Sequence, residues 1–203
     1  MKANRESRAL AAIVLAAGLS SRMKENKLLL PWKNSTVIGW VVSQLVKVGM
    51  RRIFVVTGRD ANDVESLTSF PGVQHIYNKL YADGEMLHSL QAGLKMLPDD
   101  VDAALVVLGD QPQIEIETIQ LVARAFEDNP NCKLILPSFQ NRRGHPWIVA
   151  RELWDEIISM EPPVNLRTFL QRYSDEITYV LINTTTIFAD IDTPQDYQES
   201  LKH

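Results

Sequence analysis

Arg22 and Lys27 follow closely on an apolar run that ends in small residues, Leu15-Ala16-Ala17-Gly18. A buried strand that breaks into small residues lets its backbone approach a ligand closely. The guanidinium and ammonium just beyond supply the positive charge a polyphosphate needs. A second apolar run, Ala103–Leu108, ends in Gly109-Asp110-Gln111-Pro112. A carboxylate at such a strand end is placed to hold a hard cation. Mg²⁺ takes one or two carboxylates and leaves its other positions to phosphates and water. The plain alternative for Asp110 is a turn residue or helix cap ahead of Pro112. A third polar group is Asp190-Ile191-Asp192-Thr193-Pro194. Alternation puts Asp190 and Asp192 on one side of an extended segment, so either could join Asp110 at a cation. Asp192 or Thr193 is equally suited to cap a helix that begins at Pro194.

Two further segments carry polar groups with less pattern. Asp83-Gly84-Glu85-Met86-Leu87-His88-Ser89 precedes a helix whose first amides could meet an anion. Arg142-Arg143-Gly144-His145-Pro146 gathers two arginines and a histidine in a turn. Taken alone, each reads as an ordinary solvated turn. Other chemistries are excluded. There is no G-x-x-x-x-G-K-[ST] phosphate loop, no G-x-G-x-x-G and no G-x-S-x-G elbow. The single cysteine, Cys132, leaves no internal disulfide or thiolate zinc cluster, and the four histidines are scattered.

The elements that must position these groups alternate. Strands are expected at Ile13–Ala17, Arg52–Thr57, Val73–Tyr77, Ala103–Leu108 and Lys133–Pro137. Helices are expected at Thr36–Val48, Asn62–Thr68, Met86–Leu97 and Glu115–Asp128. This rhythm predicts an α/β fold with a mainly parallel sheet and helices on both faces. In such a sheet, ligands bind outside the carboxyl ends of the strands, where the first two motifs fall. After Pro137 the rhythm changes. Trp147–Val149 is read as an antiparallel addition, Arg151–Ile158 and Leu166–Tyr173 as helices, and Ile177–Ile182 and Ile187–Ile191 as strands.

A length of 203 residues without repeat or linker reads as a single domain, 1–203. A net charge of -4 gives no sign of a nucleic-acid partner. Lys2, Arg5 and Arg8 ahead of an apolar stretch resemble a secretory signal, but cleavage after Ala17 would remove the first strand. No segment approaches the roughly 20 apolar residues of a membrane span. A cytoplasmic protein with no membrane partner is expected.

Leu15-Ala16-Ala17-Gly18-x-Ser20-x-Arg22-Met23-x-x-x-Lys27-x-Leu29-Leu30-Pro31 closely resembles the signature of nucleotidyltransferases of the molybdenum-cofactor type. Within that group it looks most like the molybdenum cofactor cytidylyltransferases. Asn78 with Gly84-Glu85-Met86-x-x-Ser89-Leu90 resembles the family's middle motif. Gly109-Asp110-Gln111-Pro112, Gly144-His145-Pro146 and Asp190-Ile191-Asp192-Thr193-Pro194-x-Asp196-Tyr197 follow in the family's order. Two positions depart from it: Lys24 stands where glycine is common, and Glu85 is an extra residue between Gly84 and Met86.

The resemblance implies a Rossmann-like three-layer α/β/α sandwich with a mixed sheet. It implies that Leu15, Ala16, Ala17 and Gly18 hold the base through their backbone, with Asn78, Ser89 and Gly109 on the nucleotide side. Arg22 and Lys27 would hold the triphosphate. Asp110, with Asp192 or Asp190, would hold Mg²⁺, and Gln111, Pro112, Gly144 and His145 would face the second substrate. Leu-Ala-Ala-Gly, rather than Leu-Ala-Gly-Gly, is the form that goes with cytidine. The implied reaction transfers CMP from CTP to the terminal phosphate of molybdopterin, with a molybdenum hydroxylase as recipient of the product. The alternatives are transfer to a sugar phosphate or other phosphorylated alcohol, and a non-catalytic protein that binds and delivers the cofactor.

Overall fold

The computed structural model describes residues 8–23, 25–83 and 86–202. Lys2, Arg5, Lys24, Gly84 and Glu85 lie outside the described residues. In chain order the elements begin with β1 (Leu10–Ala16), a short antiparallel hairpin of β2 (Pro31–Trp32) and β3 (Ser35–Thr36), and α1 (Val37–Lys47). Next come β4 (Ile53–Thr57), α2 (Ala61–Leu67), β5 (Val73–Tyr77), α3 (Met86–Leu94), β6 (Ala103–Leu108) and α4 (Ile116–Asp128). The last part holds β7 (Leu134–Phe139), β8 (Arg142–Arg143), β9 (Trp147–Ala150), α5 (Trp154–Ser159), α6 (Leu166–Arg172), β10 (Ile177–Leu181) and α7 (Pro194–Ser200).

One eight-stranded sheet runs β10-β7-β9-β6-β1-β4-β5, with β8 paired to the free end of β7. β1 lies parallel between β4 and β6, in register Val14 with Val55 and Val107. β9 is antiparallel between β6 and β7. The sheet is therefore mixed and mainly parallel, as the alternating sequence and the resemblance both predict.

Period-two alternation divides the strand side chains between two cores. Val14, Val55, Leu105 and Val107 face one way and pack with Val37, Val41 and Leu45 of α1 and with Ile119, Val122 and Phe126 of α4. Ile13, Val56, Ala104 and Val106 face the other way, against Leu90 and Leu94 of α3, Ile157 of α5 and Phe169 of α6. Each fully buried Val, Leu, Ile or Phe contributes about 1.5–3 kcal/mol, so burial of these side chains holds the layers together. Both faces of β1 and β6 are covered, which is why they read as continuous apolar runs.

Several sequence expectations differ from the structure: β1 starts at Leu10 rather than Ile13, and the expected helix Arg151–Ile158 is a 3₁₀ turn, Arg151–Leu153, followed by α5. α3 ends at Leu94 rather than Leu97, and its last turn tightens through Met96 N–H to Gly93 and Leu97 N–H to Leu94 before Pro98. Ile187–Ile191 is not a strand. Residues Thr185–Phe188 form a single 3₁₀ turn whose start is capped by the Thr184 hydroxyl, 3.2 Å from Thr186 N. The backbone groups that a ladder would need are used elsewhere. Ile187 O accepts from His145 N, and Ile191 N donates to Asp110 O. That second bond ties the loop before α7 to the end of β6. No helix among the described residues is long and apolar enough to cross a membrane.

Candidate active site

The carboxyl ends of β1 and β6 open onto a cleft of about 450 Å³, a volume suited to a nucleotide. Gly109 N–H donates to Leu15 O at 3.0 Å, so the two strand ends leave the sheet together. A Cβ on Gly109 would lie 2.9 Å from Ile38 Cδ1 and 3.0 Å from Leu15 O, so a larger residue would crowd this close approach and push the Ile38 side chain aside. Asp110, the next residue, projects into the cleft.

The chain after β1 wraps the cleft as a polar loop. Ser20 takes a left-handed conformation (φ 50°) and its carbonyl accepts from Met23 N. The loop closes in a 3₁₀ turn, Lys27–Leu29, capped by Asn26, whose side-chain oxygen accepts from Leu28 N at 3.0 Å. Leu28 and Leu30 are buried and anchor the turn in the core. Lys27 is thereby aimed into the cleft, where its Nζ lies 2.5 Å from Asp110 and 3.0 Å from Asp192. Arg22 reaches the other oxygen of Asp192 at 2.7 Å. α7 fixes Asp192 in turn: Thr193 and Asp196 form a reciprocal capping box, and Asp196 also accepts from Asp192 N.

The electrostatics follow from this geometry. Burial alone would depress the Lys27 pKa, but Asp110 and Asp192 outweigh it and the net shift is upward. The hydrogen bond from Lys27, with the charge of Arg22, holds Asp192 below the usual carboxylate range. Asp190 is raised, first by desolvation and then by the like charges of Asp110 and Asp192, against the amide of Gln111 that hydrogen-bonds it.

Of the residues expected at a nucleotide site, Leu15, Ala16, Ala17, Gly18, Arg22, Lys27, Ser89, Asp110, Asp190 and Asp192 line this one cleft. The others stand behind its wall or beside it. Asn78 is buried, donating to Ser89 Oγ at 3.1 Å. Gln111 is buried and spends its amide on Asp190, and Pro112 is buried next to it. Gly144 is pressed against Ile187, within 2.5 Å of its carbonyl for any added Cβ. His145 is held by Ile187 O through its backbone, and desolvation pushes its imidazole pKa down to about 4. The sequence reading passed over Tyr81, which also lines the cleft. It follows a loop with no local signal. A trace is the absolute need for glycine at 58, where a Cβ would lie 2.8 Å from Ala17 O and 2.9 Å from Tyr81 Cβ.

The donor set of the cleft is chemically suited to a hard divalent cation. It offers carboxylate oxygens from Asp110, Asp190 and Asp192, and among the described residues no thiolate or imidazole lines it. Among the described residues, no three acidic, histidine or cysteine side chains already form a metal-holding group. Mg²⁺ does not need one, since it is commonly held by one or two carboxylates and by substrate phosphates.

Comparison with known proteins agrees with this architecture. Residues 12–177 match the MobA-like NTP transferase domain. The chain is 30% identical over 193 residues to the molybdenum cofactor cytidylyltransferase of Escherichia coli K12, covering 93% of this chain and 94% of that protein. In fold it is similar to Rv0371c from Mycobacterium tuberculosis H37Rv, with TM-score 0.82, 22% identity, and coverage of 98% of this chain and 100% of that one. A nucleotidyl transferase from Methanothermobacter thermautotrophicus gives TM-score 0.81 at 23% identity, covering 96% of this chain and 97% of that one. With the strand-end cleft and the matched domain in agreement, the chain belongs to the MobA-like NTP transferase family and is a nucleotidyltransferase.

Proposed function

We propose that this enzyme transfers CMP from CTP to the terminal phosphate of molybdopterin and releases pyrophosphate, with Mg²⁺ as its cation. The observation that carries the reading is the Lys27 ammonium held between Asp110 and Asp192 in the cleft. Lys27 and Arg22 stand there paired with Asp110 and Asp192, while Asp190 is held by the Gln111 amide. A triphosphate can take over Lys27 and Arg22, and the carboxylates so released can serve a metal ion. Asp110, with Asp192 or Asp190, would hold Mg²⁺, which when bound polarises the α-phosphate and offsets its charge.

The remaining chemistry belongs to this chain's own residues. The backbone of Leu15–Gly18 receives the base, and the Ala17 methyl narrows the slot in favour of a pyrimidine. Lys27 and Arg22 hold the β- and γ-phosphates and orient the α-phosphorus for in-line attack. The attacking phosphate monoester has a second pKa of about 6 and is mostly ionised near neutrality, so no general base is needed. The half-buried His145, whose pKa desolvation lowers to about 4, is consistent with that, because it is not poised to move a proton near neutral pH. The cytidylyltransferase relative supports both CTP and a molybdenum-cofactor acceptor. The single cysteine suits a reducing cytoplasm, and a molybdenum hydroxylase is the recipient consistent with such a product.

The test is a screen of CTP, GTP, ATP and UTP for Mg²⁺-dependent pyrophosphate release with purified molybdopterin, run beside sugar phosphates as acceptors. CTP with molybdopterin is expected to be the most efficient pair. A preference for GTP overturns the base assignment, and turnover only with sugar phosphates overturns the acceptor.

A further inference from the structure

Lys27 opens a 3₁₀ turn of three residues, and a turn that short has almost no stability of its own. Its orientation must come from the groups around it. Asn26, immediately before it, is only 9% exposed and makes hydrogen bonds with both ends of its side-chain amide. The carbonyl end accepts from Leu28 N at 3.0 Å and from the Ser20 hydroxyl at 3.4 Å. The amino end donates to Asp60 Oδ2 at 2.7 Å. The two ends cannot be exchanged: Leu28 N–H requires an acceptor and the Asp60 carboxylate requires a donor.

Asp60 has an unusual role for its position. It is the N-cap residue of α2, where an aspartate ordinarily bonds the first amides of its own helix, yet it makes no such bond. Its carboxylate turns instead to Asn26 and to Arg59 Nε, at 3.1 Å. The same turn brings Gly58 against Ala17 O. The loop after β4 therefore supports the loop after β1 at two points, one beneath Ala17 and one beside Lys27.

We infer that Asn26 and Asp60 are a positioning pair that sets the Lys27 ammonium for the triphosphate. This rests on the reading of Lys27 as a triphosphate contact. The pair touches no substrate. It fixes where the charge stands before the ligand arrives, so that less ordering is left for binding. The chemistry is specific to the pairing. Aspartate at 26 would keep the acceptor for Leu28 N but set two carboxylates face to face. Asparagine at 60 would then restore a donor, with the polarity of the bond reversed.

The experiment measures binding of inorganic tripolyphosphate with Mg²⁺ to the whole chain by calorimetry at pH 8, beside the thermal midpoint of each variant. Asn26→Asp is expected to weaken binding about tenfold, the size of a lost charge-assisted hydrogen bond. Asp60→Asn is expected to weaken it less. The combined N26D/D60N exchange is expected to return the affinity to within about twofold of wild type. A merely structural role would lower the thermal midpoint and leave the dissociation constant of the folded protein unchanged. Wild-type affinity in Asn26→Asp, or no recovery in the exchange, overturns the inference. Should Asn26→Asp not fold, Asn26→Ser carries the test, since serine keeps an acceptor for Leu28 N but cannot reach Asp60. It is expected to bind several-fold more weakly, and wild-type affinity there also overturns the pair. If wild-type protein fails to bind tripolyphosphate while folded, the triphosphate reading of Lys27 itself falls, and this inference with it.

Discussion

Arg52 and Lys27 are both cations held by carboxylates at opposite ends of the same sheet, yet their surroundings differ. Arg52, just before β4, makes a two-pronged pair with Asp100 at 2.7 and 2.6 Å. Nearby, Arg151 gives its guanidinium to the carbonyls of Val101 and Pro98, and Ala9 N–H is taken by Asp102 at 2.7 Å. These bonds tie the amino ends of the parallel strands together in the open, with Arg52 40% and Asp100 66% exposed. At the carboxyl end the Lys27–Asp110 pair is only 12% and 19% exposed and faces a cleft. Water screens the first pair and makes it nearly neutral in energy. The second pair is sheltered, so its charges are strong, and only a ligand with its own charges can replace the partners. A cation–carboxylate pair thus serves as a tie at one end and, under the proposed function, as an exchangeable set of counter-ions at the other.

The contrast is broken most sharply at Asp110. Asp110→Asn keeps the shape of the side chain and leaves Lys27 its second partner, Asp192. Nucleotidyl transfer is expected to fall by at least about a hundredfold while the thermal midpoint barely moves. Near-normal turnover at limiting Mg²⁺ would refute the assignment. Lys27→Ala comes next. Losing a charge-assisted contact costs about 1.5–3 kcal/mol, so affinity for CTP should drop by roughly ten- to a hundredfold. Titration calorimetry should show a much smaller loss for the acceptor, and an equal loss there would contradict the division of the cleft.

A pH series separates the two ends by another route. His145, at the carboxyl end, keeps its proton off in the folded state down to about pH 4, whereas the unfolded chain takes one up near 6.5. The unfolded state therefore binds more protons between these values, and stability must fall as pH drops from 6.5 towards 4. The full effect is about 3 kcal/mol from the size of the shift. His145→Gln should flatten that arm of the urea-midpoint profile; an unchanged slope would mean that the imidazole is solvated. Arg52→Ala is the smallest change. It should leave kcat/KM for CTP unaltered and lower the thermal midpoint only slightly, and a clear loss of activity would show that the two ends are coupled.

The parts of this molecule that sequence patterns reveal are those fixed by local or periodic rules. β1 and β6 are legible because burial on both faces demands unbroken apolar runs. The start of α7 is legible because Thr193, Pro194 and Asp196 form a capping signature within one turn. Ile187–Ile191 misleads because its apolar residues have strand-like spacing, while its backbone partners, His145 and Asp110, lie about 40 and 80 residues away. Lys27 and Asp110 can each be picked out as charged groups near strand ends, but not their 2.5 Å contact. Asn26 and Asp60 carry no sign at all, since neither residue type nor spacing links positions 34 apart.

The bonds from Arg22 and Lys27 to Asp192 span 170 and 165 residues of chain. This has a consequence for biosynthesis. A ribosome emits the loop after β1 before Asp192, and Arg22 and Lys27 then wait for a partner that is made more than a hundred and sixty residues later. Until Asp192 leaves the exit tunnel, the emerging chain carries a basic loop without its full complement of counter-charge. Contacts this distant in sequence also form late in folding, because the intervening loop must close first. A chain interrupted short of Asp192 would hold the strands of the sheet while lacking the charge arrangement at the mouth of the cleft.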